Sequence, residues 1–272
     1  MQLTDTHCHI HEAAYLASLD TETKKKYVKA GEPSADEMIL RACAADVTRL
    51  VCIGNTLEDS ELAVDFVQSR GNVWASIGLH PHEAKGYVDN EQALKRFAAL
   101  AKKPKVVAVG ECGLDYFYTH SLPAEQAALL HFQIELALEH DLPMVFHVRD
   151  AFEDFWPIFD SYKGIRGVIH SFTATRKELD EALERNLYIG LNGITTFTDR
   201  QQQIDAIKAV PLEKMVLETD APYLTPVPHR GSICEPKHIR VTAEFLAELR
   251  GEDLELLAAQ TTDNAVALYG IG

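Results

Sequence analysis

The chain has 272 residues, 46% of them hydrophobic, with 26 Lys and Arg against 41 Asp and Glu and a formal charge of −15. That length suits one large α/β domain with a substantial core. The charge is the wrong sign for a broad basic footprint on nucleic acid, which sets many Lys and Arg against phosphates. No apolar run nears the roughly 20 residues of a membrane span, and no basic-then-apolar leader opens the chain. Five scattered cysteines without a CxxC pair read as thiols in a reducing, cytoplasmic setting.

Taken in chain order, LTDTHCHI reads as a first strand. Side chains alternate along it, so Asp5, His7 and His9 are expected to point one way and Thr6 and Cys8 the other. The polar run from Asp20 to Glu37 reads as an exposed loop. It ends at a helix start, where Ser34 and Glu37 have capping-box spacing. RLVCIGN is a second strand, followed by helical ELAVDFVQ, and VWASIGLH is a third, followed by EQALKRFAALAKK. KVVAVGEC precedes the clearest helix, PAEQAALLHFQIELALEH, with Ala127, Leu130, Ile134, Ala137 and Leu138 on one stripe. PMVFHVR, GVIHSF, LYIGLNG and KMVLETD complete eight strands, with RKELDEALERN and RQQQIDAIKAV as helices among them, and Leu254 to Tyr269 reads as a closing helix.

Most of these strands are continuously apolar, as parallel strands covered on both faces are. From His7 to Asp220 there are 213 residues and seven strand-to-strand steps, about 30 per step. The expectation is a (β/α)8 TIM barrel, one domain over 1–272. The rival, a doubly wound open sheet, usually carries a Gly-rich phosphate turn after its first strand, and none stands here.

The polar residues cluster at strand ends: His7 and His9 on the first, His80 on the third, Glu111 on the fourth. His147 and Arg149 end the fifth, His170 the sixth and Asp220 the eighth. In a barrel those ends converge on the active face. A histidine at a strand end is ordinarily a packing residue, but burying several His, Glu and Asp together costs several kcal/mol unless something compensates. Imidazoles at i and i+2 suit chelation, and imidazole with carboxylate suits zinc, manganese, iron or nickel. Four histidines and two carboxylates exceed one tetrahedral ion and match two divalent ions bridged by Glu111. Cys8 and Cys112, turned away from the ligands by parity, read as small apolar packers. Cys234 lies in a loop able to approach the pocket, without the surroundings of a nucleophile, and His82, after Pro81, reads as a surface residue.

Together DTHCH, GLHPH, GECGLDY, the glutamine-bearing helix leading to LPMVFHVRDA, HSFTA and LETDAPYLTPVPHRG resemble the TatD family of metal-dependent deoxyribonucleases, from Asp5 to about Pro236. The resemblance implies a TIM barrel whose divalent metal centre hydrolyses phosphodiester bonds. His7, His9, Glu111, His147, His170 and Asp220 would be the ligands, and His80, Arg149 and Arg230 would face the substrate phosphate. Ala174 and Cys234 depart from residues usual in the family, glycine and asparagine, in loops near the pocket. Glu111 holds the place where many amidohydrolase-type barrels carry a carboxylated lysine.

The expected mechanism has Glu111 bridging two ions, drawn from zinc, manganese, magnesium or nickel, with Asp220 orienting or deprotonating the attacking water. Arg149 and Arg230 pair with phosphate oxygens, His80 helps the leaving group, and Asp5 and Glu218 are candidate partners for imidazole N–H groups. Two ions outweigh two ligand carboxylates, so an acidic protein can hold one phosphodiester while binding long duplex weakly. That favours attack at a strand end or on a short single-stranded piece over processive work on a duplex, and with the resemblance it implies a DNA exonuclease on single-stranded ends, with no membrane partner. The alternatives are a barrel hydrolase of small esters, lactones or amides, and a non-catalytic scaffold.

Overall fold

The computed structural model describes residues 1–18 and 21–272. The strands are β1 (Leu3–Cys8), β2 (Val47–Ile53), β3 (Val73–Ile77), β4 (Val106–Asp115), β5 (Met144–Arg149), β6 (Gly167–Ile169), β7 (Tyr188–Leu191) and β8 (Met215–Leu217). The helices are α1 (Thr21–Lys29), α2 (Ala35–Ala44), α3 (Leu57–Val67), α4 (Glu91–Leu100) and α5 (Pro123–Glu139). They continue with α6 (Phe152–Asp160), α7 (Arg176–Glu184), α8 (Gln201–Ala209), α9 (Ile239–Arg250) and α10 (Leu254–Tyr269). The eight strands run in the order β1 to β8 in one sheet, the (β/α)8 arrangement expected of the sequence. Among the described residues no helix is long and apolar enough to cross a membrane.

Contacts group into two units. The first comprises residues 1–52, 171–267 and 272. In it β1 pairs with β2 and β7 with β8, all parallel, and β8 returns to β1 through the Cys8–Ala221 bridge and the Asp220 N–H donated to the His7 carbonyl at 2.8 Å. The second comprises 53–170 and 268–271, where β3, β4, β5 and β6 pair in sequence. The core in both is the aliphatic content of the strands: Leu50, Val51, Ile53, Ile77, Val109, Val145, Ile169, Ile189 and Val216 are all buried. Each such side chain contributes roughly 1.5–3 kcal/mol by leaving water.

Three expectations are corrected. The Asp20–Glu37 run is not all loop, because Thr21–Lys29 is helical; Asp20 itself lies outside the described residues. Thr23 and Tyr27, four apart and both buried, hold this helix down on one face, and a single aromatic in TETKKKYVK makes no visible stripe. The Ser34–Glu37 capping box does open the helix that follows. Second, α5 buries Leu130, Ile134 and Ala137 as expected but leaves Ala127 and Leu138 only half-buried, and its inner face also carries Gln126 and Gln133. Third, β4 does not end at Glu111 but runs on to Asp115.

Candidate metal centre

In the first unit, β1 and the segment after β8 bring three donors together. His7 Nε2 lies 3.2 Å from His9 Nε2, and Asp220 Oδ1 lies 3.6 Å from the first and 3.3 Å from the second. Donors bonded at about 2.1 Å around a tetrahedral ion are separated by about 3.4 Å, so this set fits a divalent metal. Asp220 reaches its place with a left-handed backbone, φ 59°, which Asp tolerates better than most residues.

Among the described residues, Asp5 bonds backbone amides and a hydroxyl and no imidazole. Its Oδ1 accepts the amides of His7 and Thr219 at 3.2 and 3.0 Å, and its Oδ2 accepts the Thr219 hydroxyl at 2.6 Å. Between Asp5 and Cys8, β1 advances three residues while β2 advances two, so simple alternation fails beside His7. Burial pushes the Asp5 carboxyl well above the ordinary range, against these hydrogen bonds. Glu218 accepts the Ser171 amide at 2.7 Å and the Asn192 side-chain amide at 3.2 Å. It lies where a Cβ on Gly190 would meet its carboxylate at 2.5 Å.

In the second unit, Glu111 Oε1 is ringed by imidazoles: His147 Nδ1 at 2.7 Å, His80 Nε2 at 3.5 Å and His170 Nε2 at 3.7 Å. His80, Glu111 and His147 form a set able to hold an ion. His80, expected to face substrate, stands beside Glu111 and His147, its Nε2 3.5 Å from Glu111 Oε1. Burial lowers its pKa to about 4 against the pull of Glu111, leaving a neutral ring. Glu111 sits where β4 gains one residue on β5. Gly78 makes room for it, since a Cβ there would lie 2.2 Å from the Glu111 nitrogen.

Asp115, four residues past Glu111, was not singled out in the sequence. Its Oδ2 lies 2.9 Å from His147 Nε2 and 3.0 Å from His82 Nε2. Its position in GECGLDY, at the same parity as Glu111, is the signal that could have found it. Burial alone would raise the Asp115 carboxyl, but the hydrogen bonds of His147 and His82 hold it well below the usual range. Burial opposes charge on His147, and the bonds to Asp115 and Glu111 outweigh it and raise its pKa. Ligation through either nitrogen would therefore release a proton. His82 is not a plain surface residue: it is half-buried and bound to Asp115.

Two glutamines of α5 fix the strand ends. Gln133 accepts the Leu79 amide and donates to the Leu79 carbonyl, both at 2.9 Å, beside His80. Gln126 does the same for Asp115 at 2.8 and 3.0 Å. Arg149 and Arg230 are exposed, each with its guanidinium over an aromatic ring: Phe117 at 3.8 Å for the first, Phe197 at 4.0 Å for the second. Cys8, Cys112 and Cys234 are all buried, and burial raises the pKa of each. Cys234 packs with its thiol 4.0 Å from the Thr219 carbonyl.

The family model described as TatD related DNase matches residues 4–270. The chain belongs to the TatD family. An uncharacterized metal-dependent hydrolase of Escherichia coli, YcfH, is 38% identical over 273 residues, covering 100% of this chain and 97% of its own. A Citrobacter koseri relative named 3′-5′ ssDNA/RNA exonuclease TatD is 36% identical over 257 residues, 92% of this chain and 96% of its own. Among solved structures, the E. coli TatD homologue YjjV superposes with a TM-score of 0.84 at 24% identity, over 99% of this chain and 98% of that one. The fold is thus the TIM barrel of the TatD proteins, and the chain is a metal-dependent hydrolase with His, Glu and Asp groups able to bind metal.

Proposed function

We propose that this TatD protein hydrolyses phosphodiester bonds of DNA, as an exonuclease on single-stranded ends, using two divalent ions. The observation that carries the reading is Glu111: one buried carboxylate oxygen within 3.7 Å of ring nitrogens from three histidines. Nothing in packing alone calls for that arrangement, whereas a shared metal ligand does. The name of the Citrobacter koseri relative supports the choice of substrate.

On this reading His7, His9 and Asp220 hold one ion, and Glu111, His147 and His170 the other. In TIM-barrel enzymes active sites lie at the C-terminal ends of the strands, and each donor set lies near or just beyond the ends of its own strands. Divalent ions held there would supply Lewis acidity toward a water and positive charge toward the phosphate. Asp220 orients that water and takes its proton. His80, neutral at working pH, presents a ring N–H to the phosphate or the leaving oxygen. Arg149 and Arg230 supply guanidinium forks for the non-bridging oxygens.

The test is an assay of metal-loaded protein on end-labelled single strands, blunt duplexes and a panel of small esters and lactones. Release of terminal nucleotides from single strands, lost in Glu111→Gln, is the expected result. Turnover of small esters with every oligonucleotide left intact would overturn the reading.

A further inference from the structure

We infer that Phe117 and Tyr118, backed by Arg149, form a stacking platform for a nucleobase of the single strand; this rests on the nuclease reading above. Phe117 is 54% exposed and Tyr118 44%, two neighbouring aromatics open to solvent. They are held there rather than left loose. Asp115 Oδ1 accepts both their amides, at 2.9 and 3.1 Å, and the Tyr116 hydroxyl before them donates to Asp154 at 2.8 Å. Their rings meet edge to face with centroids 4.8 Å apart. Exposed aromatic rings held in place offer π faces on which the bases of a single strand stack.

The charge at this place is complementary to nucleic acid. The Arg149 guanidinium lies 3.8 Å from the Phe117 ring centre and 5.2 Å from that of Tyr118, and it forms no ion pair among the described residues. In a chain of net charge −15, an arginine without a carboxylate is positive charge left for a ligand. The platform also connects to the chemistry. Asp115, which pins the two aromatic residues through Oδ1, holds His147 through Oδ2. Tyr118 meets His82 with ring centres 5.3 Å apart and His120 at 5.5 Å, extending the aromatic strip. A π face takes any base, and a single strand offers base faces that a duplex keeps stacked inside. Exposed Leu122 nearby has no π face and no cation, so the recognition is assigned to the aromatic pair.

The experiment uses manganese-loaded full-length protein and three short oligonucleotides: intact, abasic over its last two 3′ positions, and carrying 2-aminopurine there. Parental protein is expected to quench 2-aminopurine and to show a KM at least about five-fold lower for the intact strand than for the abasic one, the size of one stacked base. Phe117→Leu with Tyr118→Leu keeps apolar bulk and removes the rings. It should raise KM for the intact strand to the abasic value, affect KM more than kcat, and lose the quench. Phe117→Tyr with Tyr118→Phe should restore both. Leu40→Ala, another exposed apolar residue, should match the parent. Equal KM for intact and abasic strands in the parent, with hydrolysis proceeding, would overturn the platform alone. No hydrolysis of any oligonucleotide would overturn the nuclease reading beneath it. A concentration-dependent dimer in the parent that the double leucine variant abolishes, with KM unmoved, would give this face to a second copy and overturn the proposal.

Discussion

Asp115 Oδ2 lies 2.9 Å from Nε2 of His147, whose other ring nitrogen lies 2.7 Å from Glu111 Oε1. The imidazole is thus held between two buried carboxylates, and its charge state sets how firmly both are placed. In the metal-free protein this has a pH signature. Asp115 titrates well below its usual range, so its stabilisation is complete above the unfolded carboxylate pKa of about 4 and is lost as the pH falls further. His147 titrates above its usual value, so its share is complete below about pH 6.5 and is lost as the pH rises through the raised pKa. The pair therefore stabilises most between those limits. Asp115→Asn should cost about 1.5–3 kcal/mol at pH 5–6 and less at pH 9, read from urea midpoints. An equal loss at both pH values would mean the coupling to His147 is not what Asp115 provides.

The Gln133 side chain bonds both ways to Leu79, at the start of the segment carrying His80. Gln133→Leu has nearly the same volume and leaves a buried N–H and C=O unpaired, each costing about 1–3 kcal/mol. The expected outcome is a melting temperature lower by several degrees and a displaced His80 ring resonance. An unchanged melting temperature would show that water or a neighbouring group replaces the clamp.

Helix and strand periodicity made the barrel legible, because eight apolar runs recur at an even spacing and each is short, Val- and Ile-rich and followed by a helical pattern. The candidate donors stand out for a similar reason: His7, His9, Glu111, His147, His170 and Asp220 fall at or beside those runs. Residues that act through backbone groups were less so. Gln126 and Gln133 read as polar interruptions of an apolar stripe, and only the fold shows that each one faces a strand end. Asp5 shares its parity with His7 in sequence, yet the extra residue in β1 accompanies a carboxylate bonded to Thr219, 214 positions away. The helical turn around Tyr27 was hidden because one buried aromatic in a lysine-rich segment leaves no periodic trace.

Metal content separates the two donor sets. Protein purified without chelator and loaded with manganese or zinc should hold up to two equivalents by elemental analysis. His7→Ala with His9→Ala should lose one, and His147→Ala with His170→Ala the other, while Glu111→Gln should weaken that second ion because an amide is a neutral, poorer ligand. Dialysis against a chelator should abolish hydrolysis, and the added ion should restore it. If the parent and all these variants bind no divalent ion under any loading condition, the six residues are not ligands.

The last prediction concerns how a protein with a net charge of −15 holds a polyanion. If affinity comes from the ions and from Arg149 and Arg230, few phosphates are neutralised. Each one contributes about −0.7 to the slope of log K against log salt for a single strand, so a slope of about −1 to −2 is expected. Arg149→Ala should weaken every sequence alike, since a phosphate contact carries no base information. It should also make the slope shallower by roughly one contact. Base stacking adds affinity without adding to that slope, so the double leucine variant at Phe117 and Tyr118 should bind more weakly with the slope preserved. A slope of about −5 or steeper would require an extended basic surface, which 26 Lys and Arg set among 41 Asp and Glu make hard to assemble.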